Sequence, residues 1–571
     1  MAPTEPGSAT PTYTVADNRG VRLVLDPIDD VVVGGVLFRV GTVDESLSTY
    51  GITHLIEHLA LSELNLSSVH SNGAVTDTYT AFYAQGSPEA VVGFLNAVCR
   101  TLRNLPTARW RTEAKVLDAE SAGRPTNWGA SMGVWRYGAA GRGLRSQETE
   151  WGLLRLSDQE IADWSRRYFT AGNAVAYLST ATAPADLDLT LPHGNAVALP
   201  VQQQLSVAMP AAVPGPKGVV AFEGHVDRSP AGIAFAMLVE QAAFRDVRVG
   251  SGLTYTVTSN YSPLDTDNAA ISLVAEIPPG GDAALTAGIV GTAKRLRDGH
   301  LSQTEVDDAI AATTKKRGSI RLPGARPGGL QYAAARLLID GSLPDHDAVD
   351  RGIAAVTRDD MVAMARRWWD SGLIATPTPE AAQLVGVPSA ALAILPPVGH
   401  GRGIADFDQP GVQRSALQIS PDALTYGAKR TLPFNDVVGL LGWSDGGRVL
   451  IGRDGRQIRI EPGLFAGLSK AKVEQLIDAK IDPRLHIPLP ERTKDAVPKR
   501  WNSRLVLRLA TLLLAGFSVL GLFTVLLAGF QAGWEVGLVL AVIALPFWVA
   551  TAWVATTAKR KNAFDTRPDV F

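Results

Sequence analysis

The chain has 571 residues, with 54 basic and 56 acidic side chains and a net charge of −2. This balance leaves no electrostatic footprint for nucleic acid, and none is expected as a partner. A single cysteine, Cys99, excludes an intramolecular disulfide framework, reads as a core residue and points to a reducing compartment.

The length is too great for one hydrophobic core and asks for several domains. Residues 1–14 read as a disordered tail. Met1 to Thr10 is rich in Ala, Pro and Thr, with neither the basic start nor the apolar run of a signal peptide. Residues 15–205 alternate strand-like and helix-like stretches, an α+β texture. Val31 to Val40 predicts a strand and Gly51 to Leu64 a helix. Val75 to Tyr83 alternates as a strand does, and residues 88–104 and 108–121 have helical periodicity. A Pro/Ala-rich passage, Met209 to Lys217, leads into residues 206–385, a second block of similar length and texture. Together the two blocks suggest a duplicated α+β unit.

Proline and glycine cluster from Thr376 to Gly411, which marks residues 386–411 as a linker. Residues 412–485 are β-rich, with turn signals at Asp445-Gly446 and Asp454-Gly455. A helix with Val473, Leu476, Ile477 and Ile481 on one stripe follows them. Short antiparallel strands capped by one C-terminal helix resemble a small pleckstrin-homology-like barrel; a plain β-rich spacer is the alternative.

The C-terminal part reads as a membrane anchor. Leu509 to Phe530 is 22 residues without a charge and Val536 to Thr556 is 21 more. At about 1.5 Å per residue each spans a hydrocarbon layer of roughly 30 Å. Residues 509–556 therefore predict a two-helix transmembrane hairpin turning at Gln531 to Glu535. A basic juxtamembrane segment, residues 486–508, precedes it with Lys494, Lys499, Arg500, Arg504 and Arg508. The tail, residues 557–571, carries Lys559, Arg560, Lys561 and Arg567. Positive charge on both flanks places both ends, and the blocks before residue 500, on the cytoplasmic side of a cell membrane. No charge inside either span marks a transport path, so the hairpin reads as an anchor.

The chemistry concentrates in Thr53-His54-Leu55-Ile56-Glu57-His58-Leu59. On a helix, His54 and His58 are one turn apart and share a face, the geometry two imidazoles need to grip one Zn²⁺. Glu57 lies on that face too, placed to take a proton from a water that the metal activates. The apolar neighbours Ile52, Leu55, Ile56 and Leu59 argue against a merely solvated polar face. A catalytic zinc takes three protein ligands and keeps one position open, so a third ligand is expected elsewhere.

With this His-x-x-Glu-His segment the sequence resembles the insulinase/pitrilysin family of zinc peptidases, over about residues 15–385 and through four motifs in family order. The resemblance implies two tandem insulinase-type α/β domains, the first of them catalytic. In Glu113-Ala-Lys-Val-Leu-Asp-Ala-Glu120 it makes Glu120 the third zinc ligand and Glu113 a second carboxylate near it. Ser71-Asn72-Gly73-Ala74-Val75-Thr76 through Tyr83 matches the family's strand beside the zinc helix, so Asn72, Ala74 and Thr76 are the expected substrate-binding residues. Arg248-Val-Gly-Ser-Gly252-Leu-Thr-Tyr255 matches the family's Arg and Tyr pair. Tyr255 is then expected to stabilise the oxyanion and Arg248 to hold substrate backbone. As a dinucleotide loop, Gly250-x-Gly252 lacks a third glycine. The implied activity is a zinc metalloendopeptidase with one Zn²⁺ per chain, acting on a peptide or an unstructured segment. A homodimer, or a heterodimer with a related subunit, would complete the family's chamber. The competing expectation is a proteolytically inactive scaffold or receptor subunit on the same fold.

Overall fold

The computed structural model describes residues 13–493, apart from 29–30, 63, 65–69, 123–127, 148, 320–325, 393–402, 407–415, 427–429, 463–464 and 466–467. The expected hairpin at 509–556, its C-terminal tail and most of the N-terminal tail and basic juxtamembrane segment lie outside the described residues. Among the described residues no helix is long and apolar enough to cross a membrane. The chain divides into two compact units, Met1–Ala393 with Arg453–Gly455, and Ile394–Gly452 with Arg456–Phe571.

In the first unit β1 (Thr14–Asn18), β2 (Val21–Leu25), β3 (Val32–Phe38), β4 (His70–Val75), β5 (Thr80–Gly86) and β6 (Ala174–Leu178) form one sheet. The strand order is β1-β2-β6-β3-β5-β4, so β4 is an edge. The run Val75 to Tyr83, read from its alternation as one strand, instead holds the end of β4, the hairpin turn at residues 76–79 and the first half of β5. Thr76 makes that turn: its hydroxyl accepts from the Tyr79 N–H and donates to the Tyr79 carbonyl, 3.0 and 2.7 Å away. A side-chain turn of this kind outcompetes strand propensity. On one face of the sheet lie α1 (Ile52–Leu61), α2 (Pro88–Arg103), α3 (Trp110–Ala122) and, later in the chain, α5 (Asp158–Tyr168). Cys99 is fully buried there, and burial pushes its thiol up to about 12, the inert core residue expected of it.

A second sheet follows, built from β7 (Ala211–Pro214), β8 (Val219–Asp227), β9 (Val257–Pro263), β10 (Asn268–Glu276) and β11 (Leu373–Thr376), in the order β7-β11-β8-β10-β9. It repeats the first. In both, one parallel pair (β2 with β6, β7 with β11) leads into three antiparallel neighbours. Its inner face is covered by α6 (Pro230–Ala243), α7 (Asp282–Arg297), α8 (Gln303–Ser319), α10 (His346–Ala354), α11 (Arg358–Asp370) and α12 (Pro379–Leu384). The two halves also exchange helices. The helix α4 (Trp128–Tyr137) sends Met132 against Ala211, Val213, Ala221 and Leu373 of the second sheet. Conversely α9 (Arg326–Ile339) lays Leu330, Ala333, Leu337 and Leu338 on Val24, Leu37, Val175 and Tyr177 of the first. Each sheet thus buries its outer face only with the other half present.

The second unit contains two four-stranded sheets. The first is β12 (Gly403–Asp406), β13 (Ala416–Ile419), β14 (Ala423–Tyr426) and β15 (Arg430–Pro433), joined in sequence order. The second joins β16 (Val437–Gly442), β17 (Arg448–Gly452) and β18 (Gln457–Ile460) antiparallel, with β19 (His486–Pro488) parallel to β16. The helix α13 (Lys470–Leu476) closes one core with both: Leu417, Leu424, Leu440, Leu450, Ile460, Val473, Ile477 and Ile481 are buried together. Gly446 and Gly455, at the two predicted turns, take positive φ of 98° and 80°, which glycine tolerates without strain.

Candidate metal centre

The helix α1 starts at Gly51, whose φ of 98° admits no ordinary side chain and whose Cβ position would lie 2.7 Å from Glu150 Cβ. Glycine cannot cap the helix, so a carboxylate from the preceding loop does. Glu45 accepts from the Gly51 and Thr53 N–H groups at 3.0 and 2.9 Å. Two of the unsatisfied N–H groups at the helix start are thereby paired with a negative charge at the positive end of the helix dipole. Burial pushes the Glu45 carboxyl up to about 7, against these hydrogen bonds. Ile52, Leu55, Ile56 and Leu59 are fully buried, and they fix the opposite face of the helix outward.

That outward face carries His54 and His58, whose side chains are 20% and 19% exposed. Their rings meet edge to face with centroids 5.0 Å apart. The Nδ1 of His54 is 3.0 Å from a Glu150 carboxylate oxygen, which leaves Nε2 for the site. The Nδ1 of His58 faces Glu113 Oε2 at 3.7 Å. Both Nε2 atoms then approach Glu57 Oε2, at 3.9 Å from His54 and 3.8 Å from His58. One ligand atom from each of His54, Glu57 and His58 lies within 4.8 Å of the others, compact enough for a single ion. Two imidazole nitrogens with carboxylate oxygens form a donor set suited to zinc, and the carboxylates behind Nδ1 orient the rings for it. Burial, with the nearby His54, holds the His58 pKa below the usual imidazole range and so favours the neutral, ligating form.

Glu57 is buried, and burial raises its carboxyl to about 7; His54 opposes the shift and Glu120 adds to it. Its side chain fits because residue 73 on β4 is glycine. A Cβ there would sit 1.8 Å from Glu57 Oε1. The carboxylate therefore lies directly against the edge strand. From α3, Glu120 brings Oε1 to 3.7 Å from His58 Nε2 with its side chain 46% exposed, while buried Glu113 is also paired with Arg109 at 3.2 Å. Spacing by two helical turns puts both glutamates beside His58, and Glu120 reaches the cluster through that residue.

The remaining predicted residues divide. Asn72 and Ala74 lie on the edge strand β4, opposite Tyr83 and Ala81 of β5. Thr76 lies beyond it in the turn, its hydroxyl engaged there. Arg248 and Tyr255 pair with each other, the guanidinium 4.8 Å from the ring centroid, and Tyr255 is 78% exposed. Arg248 belongs to a π-helical stretch, Phe244–Val249, and also faces the Phe244 ring at 4.7 Å. Sequence reasoning missed Glu45, Glu150 and Gly73. Only Gly73 left a usable signal, a lone glycine inside a strand pattern, which marks close approach by another group.

No family model matches the sequence, and no curated protein matches it. Solved structures do match. A protease from Helicobacter pylori gives a TM-score of 0.53 at 16% identity, covering 64% of this chain and 99% of that one. A putative M16-like peptidase from Alicyclobacillus acidocaldarius gives 0.53 at 12% identity, covering 66% and 99%. A chain of complex III2 from Candida albicans gives 0.52 at 14% identity, covering 64% and 95%. The chain thus has the mixed α+β fold of the M16-like peptidases, the fold implied by the insulinase/pitrilysin resemblance, and carries on it a His54–Glu57–His58 cluster able to hold one metal ion.

Proposed function

We propose that the chain is a zinc metalloendopeptidase, anchored to a membrane by residues 509–556, that hydrolyses peptides or unstructured protein segments on the cytoplasmic side. The observation that carries this reading is the meeting of two imidazoles, the buried Glu57 carboxylate and a sheet edge at one place. His54, His58 and Glu120 would hold one zinc ion, which when bound supplies Lewis acidity toward a water and a scissile carbonyl. The chain's own groups do the rest. The edge of β4 receives the substrate backbone as an added strand, with Asn72 and Ala74 along it and Thr76 at its end. Glu57 takes the proton of the attacking water and returns it to the leaving amine. Tyr255 donates to the developing oxyanion and Arg248 holds substrate backbone. Two copies, or this chain and a related subunit, enclose the site. The β-rich part closed by α13 is a pleckstrin-homology-like module that follows the peptidase part in the sequence.

The fold match to a chain of complex III2 is compatible with a second reading, a proteolytically inactive scaffold or receptor subunit. Metal analysis paired with peptide cleavage separates the two. The peptidase reading expects about one zinc per chain, cleavage of unstructured peptides, loss of cleavage on chelation and its return with zinc. A metal-free chain that cleaves nothing after zinc is added would establish the scaffold.

A further inference from the structure

We infer that Arg145 is a substrate-recognition residue that takes an acidic side chain of an extended peptide laid along β4. The inference rests on the peptidase reading for the kind of ligand and on the geometry of the sheet edge for its place. Arg145 Nη2 reaches the Val75 carbonyl at 3.4 Å. The next residue, Thr76, turns its N–H to the Tyr79 carbonyl across the hairpin at 2.9 Å, so by alternation the backbone groups of Val75 face the open side of the edge strand. Backbone groups two residues apart on a strand face the same side, so those of Gly73 face it too. Gly73 is the residue against which the Glu57 carboxylate sits. At roughly 3.3 Å per residue, Val75 is about 7 Å further along the edge. A peptide paired with β4, its scissile bond beside Glu57, therefore meets Arg145 two or three residues away.

The guanidinium is set in place before any ligand arrives. Its Nε is paired with the Asp77 carboxylate. Asp77 is fixed in turn by Arg142 Nη1 at 2.6 Å and the Thr42 hydroxyl at 3.3 Å, and Arg142 continues to the Leu264 carbonyl at 2.8 Å. One carboxylate shared by two guanidiniums cannot neutralise both. The other carboxylate near Arg142, Asp265, is committed to its own turn, accepting from the Asp267 and Asn268 N–H groups. Arg145 is 47% exposed, and among the described residues Asp77 and Val75 are its partners, so its remaining donors are open to a ligand. A planar fork with two positions occupied and an open side is the geometry that binds a carboxylate. If the peptide runs antiparallel to β4, the acidic residue lies N-terminal to the scissile bond; if parallel, C-terminal.

Binding by the Glu57→Gln chain, which separates recognition from turnover, tests this. Fluorescent extended peptides carry Glu, Gln or Lys walked through successive positions, and anisotropy gives each Kd. At one position the Glu peptide is expected to bind about tenfold tighter than the Lys peptide, the effect of one partly screened charge pair. Adding Arg145→Gln brings that ratio close to one, Arg145→Glu reverses it, and Arg145→Lys, which keeps the charge, retains part of it. A ratio near one throughout, a ratio that survives the loss of Arg145, or no measurable binding of any peptide would overturn the inference. Cleavage of the Gln peptides by the parent chain judges the peptidase reading separately. A clear charge ratio without cleavage would keep Arg145 as a binding residue and sink the peptidase, and cleavage without a ratio would do the reverse.

Discussion

His54 and His58 turn their Nε2 atoms toward Glu57 because each ring has a carboxylate behind it, Glu150 for one and Glu113 for the other. Loss of such a support costs roughly 10–100-fold in metal affinity. Glu150→Ala is therefore expected to weaken zinc binding by about that factor in a chelator competition, while the fold persists. Unchanged affinity would mean that the His54 ring is held by its helix alone. The two histidines and Glu57 were legible because their relation is local, fixed by helical spacing within five residues. Glu113 and Glu120 were legible through the resemblance, and the two-turn spacing explains why both reach His58. Glu150 was not, since its approach to His54 depends on where the 3₁₀ turn Trp151–Leu154, almost a hundred residues on, packs, and no periodicity reports that. Glu45 was hidden because it caps the helix from outside the N-cap position, where capping residues are sought.

At the level of elements, α1, α2, α3 and β3 lie where the hydrophobic period puts them. The hairpin did not. A run of alternating residues cannot distinguish one strand from the arms of a tight hairpin, and the Thr76 hydroxyl decides in favour of the turn. This matters for the site, because the turn ends the edge strand soon after Gly73 and brings Asp77 to Arg142 and Arg145. The exchange of α4 and α9 between the halves was equally invisible, since apolar faces reveal that they are covered and not by what. It makes a stability prediction. Leu337 on α9 is buried against the first sheet. Leu337→Ala is expected to lower unfolding free energy in a denaturant titration by roughly 2–5 kcal/mol. A loss below about 1 kcal/mol would show that α9 does not cover that sheet.

At the scale of the whole molecule, the repeated strand order gives the chain two halves of like topology, with the histidine cluster on the first and the Arg248–Tyr255 pair on the second. Tyr255 is exposed, as a residue offered to a partner's site would be. If two copies pair so that each site uses the other's Tyr255, Glu57→Gln and Tyr255→Phe chains complement one another. Co-expression should recover about 25% of parental activity when pairing is random, since half the dimers then hold one intact site. No recovery in proven mixed dimers would confine Tyr255 to its own chain. Whether this fold works as a zinc peptidase with Glu57 as its base can be decided with one variant. Zinc content and peptide turnover are measured side by side on the parent and on Glu57→Gln, which keeps the shape of the side chain and removes its basicity. The Glu57→Gln chain is expected to keep a full complement of zinc and to lose turnover by at least about 100-fold. Turnover near the parental rate, or loss of the metal together with the activity, would contradict that mechanism, the first by removing the base and the second by making Glu57 a ligand.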